Sequence, residues 1–197
     1  MVVDADATRA PLSADQLQAR VRDVLLAGAP AIVVLCAGGE PLLRARARLR
    51  ALDRLLAPLA AELAARVSRS ATDGLAAWAA SRQAPIGVDV QCAPAALETD
   101  LLDAALHADE RAWLHAQADP AQAFTQLWTG KEAVLKAFGV GLAWSAREVL
   151  VLPVAPAWHA VQVPALGHAW FTHLDGCNPQ GLALAVALNA GHTAPGD

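Results

Sequence analysis

The 197-residue sequence predicts an α+β fold, because its apolar patterns place strands and helices in separate blocks rather than in regular alternation. A helix, a strand and a second helix lead into three short strands; two further helices follow, and the last third is rich in strands. Hydrophobic residues make up 55% of the chain and charged residues 17%, so the chain can bury a sizeable core without disulfides.

In the N-terminal part, Ser13 is a candidate N-cap, and Gly28 and Pro30 should end the first helix. A buried strand should follow, and then a long leucine-rich helix that Pro58 should break or kink. The predicted elements are a helix at 14–27, a strand at 31–36, a helix at 41–65, and strands at 65–70, 74–80 and 85–91.

In the C-terminal part, Asp119 followed by Pro120 marks the start of a helix, and Gly139 marks its end. Pro, Gly and Asn residues predict turns between the strands that follow. The predicted elements are helices at 100–118 and 120–138, and strands at 147–152, 158–163, 168–174 and 181–188.

Composition argues against several classes of function. A net charge of −4 argues against general nucleic-acid binding. No apolar run is long enough for a membrane span, and the acidic N-terminus lacks the apolar region of a secretory signal. The cysteines are scattered, which fits a reducing compartment, and we expect a cytoplasmic protein.

The lysines are unevenly distributed. The chain has only two, and both lie within six residues, at Lys131 and Lys136, beside Glu132. Lysine is a compact charge that suits a single phosphate oxygen. On a helix, Glu132 and Lys136 share a face, so the pattern fits either an exposed ion pair or a phosphate site.

A second polar position interrupts a β-branched strand. Val88 and Val90 should face one way, and Asp89 and Gln91 the other. A carboxylate there costs desolvation unless it lies at a strand end, is hydrogen-bonded, or binds a metal. The pattern therefore fits either a capping residue or a Mg²⁺ ligand, with Glu132 as the second carboxylate.

Together these segments resemble the signature of the 4′-phosphopantetheinyl transferases, of the Sfp type. The resemblance lies in Gly-Val-Asp-Val at 87–90 and in Trp-Thr-Gly-Lys-Glu-Ala-Val-Leu-Lys-Ala-Phe-Gly-Val-Gly at 128–141, with support from 107–114 and from Val-Ser-Arg-Ser at 67–70. It implies two similar α+β halves in a pseudo-two-fold arrangement, here 1–92 and 93–197, with coenzyme A bound by the first half. It also implies a monomer.

The resemblance implies transfer of 4′-phosphopantetheine from coenzyme A to a serine of an apo acyl or peptidyl carrier protein, with release of 3′,5′-ADP. Asp89, Glu132 and Gln91 would hold Mg²⁺, and Glu132 would help to deprotonate the serine. Lys131 and Lys136 would neutralise phosphates, while Arg69 and Ser70 would contact coenzyme A. The carrier and its pathway are left open.

Three departures from the family pattern stand out. Gln91 replaces a second acidic residue, which puts metal affinity in doubt, and Arg69 replaces a histidine that meets the 3′-phosphate of coenzyme A. The usual Gly-Lys-Pro segment before 67–70 is absent. These departures support an alternative hypothesis, that the chain is a catalytically weakened relative that binds coenzyme A or a carrier protein. A third hypothesis is an unrelated interaction module.

The long N-terminal helix carries several arginines. They fit either a solvated face or an anion-attracting surface for an acidic carrier protein; they are Arg44, Arg46, Arg48, Arg50 and Arg54.

Overall fold

The computed structural model describes residues 2–4, 12–37, 40–152, 158–174 and 182–191. It contains two four-stranded sheets and five α-helices within these ranges, which confirms the α+β prediction. The strands are β1 (Val2–Asp4), β2 (Ala31–Cys36), β3 (Arg66–Thr72), β4 (Leu75–Ser81), β5 (Ile86–Cys92), β6 (His159–Val163), β7 (Gly167–His173) and β8 (Leu182–Leu188). The helices are α1 (Ala14–Leu26), α2 (Leu42–Glu62), α3 (Thr99–Ala105), α4 (Ala108–His115) and α5 (Pro120–Phe138).

The first sheet has the order β1-β2-β4-β3, and α1 and α2 pack on one of its faces. The second sheet has the order β5-β8-β7-β6, and α5 packs on one of its faces. Apolar side chains of β2, β4, β5 and β8 form a shared cluster between the sheets. The edge strands β3 and β5 therefore lie side by side, close to α5.

Most of the predicted elements are confirmed to within a few residues. The helix α2 continues past Pro58 without a break, so a kink is the part of that prediction that stays open. Two other expectations are wrong. The predicted helix 100–118 is two helices, because the side chain of His107 accepts a hydrogen bond from the N–H of Asp109 while Glu110 caps the backbone of His107, which starts a new helix. The predicted strand 147–152 is instead a 3₁₀ turn, Ala146–Glu148, and an irregular segment.

The predicted turn at 175–181 and the cysteine at 177 lie outside the described residues. Among the helices that the structure describes, none combines the length and apolarity that crossing a lipid bilayer requires.

Candidate active site

The strand β5 and the helix α5 approach each other unusually closely at Gly87. A Cβ atom at this position would lie 1.9 Å from the carbonyl oxygen of Ala133 and 2.6 Å from the backbone nitrogen of Ala137. Only glycine permits this approach without a backbone shift. Since Asp89 lies two residues along the same face of β5, the contact brings its side chain up to α5.

Asp89 lies in the middle of β5 and is only 2% exposed. Its Oδ1 accepts hydrogen bonds from Ser70 Oγ at 2.7 Å and from Lys136 Nζ at 2.6 Å, and its Oδ2 accepts one from Gln91 Nε2 at 3.0 Å. These donors compensate for the desolvation of the carboxylate. Asp89 is therefore not a capping residue at a strand end.

Glu132 lies on α5 one turn before Lys136 and is 8% exposed. Burial raises the pKa of its carboxyl group, the charge of Asp89 raises it further, and Lys136 opposes both effects. Glu132 has no hydrogen-bond partner among the described residues, and Lys136 pairs with Asp89 instead. The alternative of an exposed Glu132–Lys136 pair on the helix surface is wrong.

The neighbouring strand β3 contributes two serine hydroxyls. Ser68 Oγ accepts a hydrogen bond from the N–H of Val88 at 3.0 Å, and Ser70 Oγ accepts one from Val90 at 3.3 Å while donating to Asp89. β5 pairs with β8 along one edge, so these hydroxyls satisfy backbone groups on its other edge. Ser70 thereby ties the position of Asp89 to the first sheet.

Arg69 points to the opposite face of β3, as alternation along a strand requires. Its Nε donates to Asp53 of α2 at 2.5 Å, and its side chain is 41% exposed. The structure therefore does not bring Arg69 together with Asp89 and Glu132.

A family model for the 4′-phosphopantetheinyl transferase superfamily matches residues 85–187, more than half of the chain and the part that holds β5 and α5. The chain belongs to this superfamily.

One similar solved structure is the holo-[acyl-carrier-protein] synthase (AcpS) of Thermotoga maritima, with 19% sequence identity and a TM-score of 0.43. The alignment covers 53% of this chain and 62% of that protein, less than two thirds of its length. No curated protein matches the chain.

The position of Lys131, within the superfamily motif, corrects the expectation that it neutralises phosphates. It is fully buried, and its Nζ donates to Glu110 Oε2 at 2.7 Å, to the carbonyl oxygen of Ala146 at 2.9 Å and to that of Val149. Burial lowers its pKa, and the charge of Glu110 opposes this shift. With all three N–H groups of the ammonium engaged inside the protein, Lys131 has none left for a ligand.

Glu110 is the functional candidate that the sequence reasoning missed. It is fully buried and accepts hydrogen bonds from Lys131, from the N–H of His107 and from the N–H of Val151. The spacing of His107 and Glu110 resembles a capping box, and this signal can locate the start of α4.

The superfamily implies Mg²⁺, and the donor set beside Gly87 fits it. Mg²⁺ usually takes one or two protein carboxylates, and the rest of its ligands are waters and phosphate oxygens. Asp89 and Glu132 supply two carboxylates, and the Glu132 carboxylate is available because no described residue hydrogen-bonds to it. Within the described part of the chain, no three His, Cys, Asp or Glu side chains cluster closely enough to hold a metal ion.

The side chain of Gln91 is consistent with a third, neutral ligand. Its Nε2 is directed to Asp89, and its amide oxygen has no hydrogen-bond partner among the described residues. An amide oxygen is a hard but uncharged donor, so it binds Mg²⁺ more weakly than a carboxylate does.

Proposed function

We propose that this chain transfers 4′-phosphopantetheine from coenzyme A to a serine hydroxyl of an apo acyl or peptidyl carrier protein, releasing 3′,5′-ADP. The observation that carries the proposal is the convergence of Asp89, Glu132 and Lys136 where β5 contacts α5. Two carboxylates and a lysine in one partly enclosed place suit phosphoryl transfer, which depends on positioning and on neutralising charge.

In the proposed reaction, Asp89, Glu132 and Gln91 would hold Mg²⁺, which when bound neutralises the pyrophosphate of coenzyme A. The serine oxygen forms a bond to the β-phosphorus, and the bond from that phosphorus to the bridging oxygen breaks. Glu132, directly or through a water, takes the serine proton. Lys136, held 2.6 Å from Asp89 and 27% exposed, donates to a phosphate oxygen and stabilises the leaving 3′,5′-ADP.

The proposal extends to the finer points of the family resemblance. These are the Sfp type, two pseudo-two-fold halves at 1–92 and 93–197, a monomer, and a cytoplasmic location. Because β5 pairs with β8, the last strand of the proposed first half belongs to the second sheet, and the two halves would share that sheet. Arg69 and Ser70 remain proposed contacts to coenzyme A. Coenzyme A would reach Arg69 on the face of β3 where Arg69 donates a hydrogen bond to Asp53.

The test is incubation with coenzyme A, Mg²⁺ and a panel of apo carrier proteins, followed by mass spectrometry of the carriers. We expect one carrier or more to gain the mass of one phosphopantetheine group, and Glu132→Ala to abolish the gain. No gain on any carrier would contradict the transferase proposal. Binding of coenzyme A without transfer would favour the weakened relative, which the neutral Gln91 supports.

The carrier protein is proposed to dock beside α2. Arg44, Arg46, Arg50 and Arg54 are exposed, whereas Arg48 pairs with Glu40 at 2.7 Å. Helical spacing places Arg46 and Arg50 on the same face of α2 as Asp53, the residue to which Arg69 of β3 donates a hydrogen bond. We expect Arg46→Glu with Arg50→Glu to raise KM for an acidic carrier while KM for coenzyme A stays unchanged. An unchanged KM for the carrier would contradict this docking face.

A further inference from the structure

A buried ion pair, Lys131 with Glu110, lies one residue from the proposed catalytic Glu132 but outside the site itself. Both side chains are fully buried. The ammonium donates to Glu110, Ala146 and Val149, while the carboxylate accepts from Lys131 and from the N–H groups of His107 and Val151. No N–H of the ammonium and neither carboxylate oxygen is left unsatisfied.

The pair joins three separate segments of the chain. Glu110 lies at the start of α4 and Lys131 in the middle of α5. The backbone groups at 146, 149 and 151 lie in the 3₁₀ turn and the irregular segment that follow α5. On another side, α5 contacts β5 at Gly87, where there is no room for a Cβ atom. The helix is thus fixed from two directions.

Stability alone does not account for such a pair. Removing two charges from water costs several kcal/mol per ion, and well-packed apolar residues in their place often leave a protein equally or more stable. An ion pair whose hydrogen-bonding groups are all satisfied does, however, constrain orientation. It determines which side of α5 faces α4 and the segment 146–151.

We propose that the Lys131–Glu110 pair is a positioning device that sets the rotation of α5 about its own axis, and with it the approach of Glu132 and Lys136 to Asp89. The side chains of residues 131 and 132 leave the helix about 100° apart, so anchoring one fixes the other. A rotation of about 10° moves a group about 6 Å from the helix axis by about 1 Å. A displacement of about 1 Å can lower a rate by about 10²-fold.

The test is the double variant Glu110→Met with Lys131→Met, which removes both charges and retains apolar packing. We expect its thermal midpoint to equal or exceed that of the native chain. We expect kcat for phosphopantetheine transfer to fall by about 10²-fold while KM for coenzyme A changes by less than about threefold. Mn²⁺ binding, followed by electron paramagnetic resonance, should weaken by about 10- to 100-fold, as when groups that orient metal ligands are removed.

The matched control is Arg22→Met with Glu62→Met, which removes an exposed ion pair between α1 and α2. We expect it to leave kcat and Mn²⁺ affinity unchanged. A folded Glu110→Met/Lys131→Met variant with native kcat and native Mn²⁺ affinity would overturn the proposal, since the pair would then serve stability alone. If that variant does not fold, Glu110→Gln/Lys131→Met replaces it under the same criteria, and failure of both to fold would also overturn the proposal.

The kinetic part of this inference rests on the proposed function, whereas the Mn²⁺ measurement does not. If the native chain binds Mn²⁺ but transfers nothing, the proposed function fails. Loss of Mn²⁺ affinity in the folded double variant would then still support the positioning role.

Discussion

The two lysines of α5 are five residues apart, yet the structure gives them opposite environments. Lys131 is fully buried and bonded to Glu110 and two carbonyl oxygens, whereas the side chain of Lys136 is 27% exposed and bonded to Asp89 beside Glu132. The residue type is the same and the helix is the same. The difference shows that burial and partners, rather than membership of one motif, decide which lysine can meet a substrate.

The largest expected effect comes from breaking the buried pair alone. Lys131→Met leaves the carboxylate of Glu110 buried without a cation, so we expect the free energy of unfolding to fall by about 3–5 kcal/mol. Lys136→Met should cost only about 1 kcal/mol, because Asp89 keeps the donors Ser70 and Gln91. Urea unfolding of both variants measures the difference, and equal losses would contradict the contrast between the two lysines.

The second effect concerns transfer activity. Under the proposed function, Lys136→Met should lower kcat for phosphopantetheine transfer by about 10²-fold, since it would remove the cation that we propose neutralises phosphate charge. Arg111→Met, which breaks a surface pair with Asp103, is the control and should retain native kcat. Native kcat in Lys136→Met would mean that the lysine only balances the charge of Asp89.

A third and smaller effect tests the other contact of α5, at β5. Gly87→Ala inserts a Cβ where the carbonyl oxygen of Ala133 lies at 1.9 Å, so we expect a loss of about 1–3 kcal/mol as the helix moves away. Gly130→Ala is the matched control, because its Cβ would meet nothing closer than 3.4 Å and alanine favours a helix. Similar thermal midpoints for both variants would show that the close approach is not required.

The sequence was sufficient to predict the fold class and the faces of β5. Alternation along the strand places Val88 and Val90 in the core between the sheets and Asp89 on the face towards α5. A shift of one residue would turn both valines towards α5 and bury Asp89 in that core, so the alternation decides which side chains face which way. Asp119 and Gly139 marked the ends of α5 because capping is a local property.

The burial of Lys131 could not be predicted in the same way. Most residues of α5 are buried, so its apolar pattern does not define a single outward face. Glu110, the partner of Lys131, is distant from it in sequence and lies in another helix. Such a pairing depends on tertiary packing, which no local pattern encodes. The prediction of a strand at 147–152 was wrong for a related reason. The backbone of this segment makes hydrogen bonds to the side chains of Lys131 and Glu110 instead of to a neighbouring strand.

The smallest expected effect is a pH-dependent one at Glu132. Burial and the charge of Asp89 raise the pKa of this carboxyl group, so the folded chain holds the proton more tightly than the unfolded chain does. In the absence of divalent cations, stability should therefore fall as the pH rises from the ordinary carboxyl pKa of about 4.3 through the higher folded value.

The glutamine side chain of the Glu132→Gln variant cannot ionise, so the stability of this variant should not fall in this pH range for that reason. With a chelator present, we expect it to melt above the native chain at about pH 8 and level with it at about pH 4, where both side chains are neutral. A tenfold difference in proton affinity between the folded and unfolded chain is worth about 1.4 kcal/mol, and each kcal/mol moves the thermal midpoint by about 2–4 °C for a chain of this size.

Saturating Mg²⁺ should reverse the order of the two thermal midpoints at about pH 8, because only the carboxylate of the native chain binds the cation. A glutamine variant that melts below the native chain in chelator at about pH 8 would mean that Asp89 and Glu132 do not repel each other, and the two carboxylates would then not form one cation site.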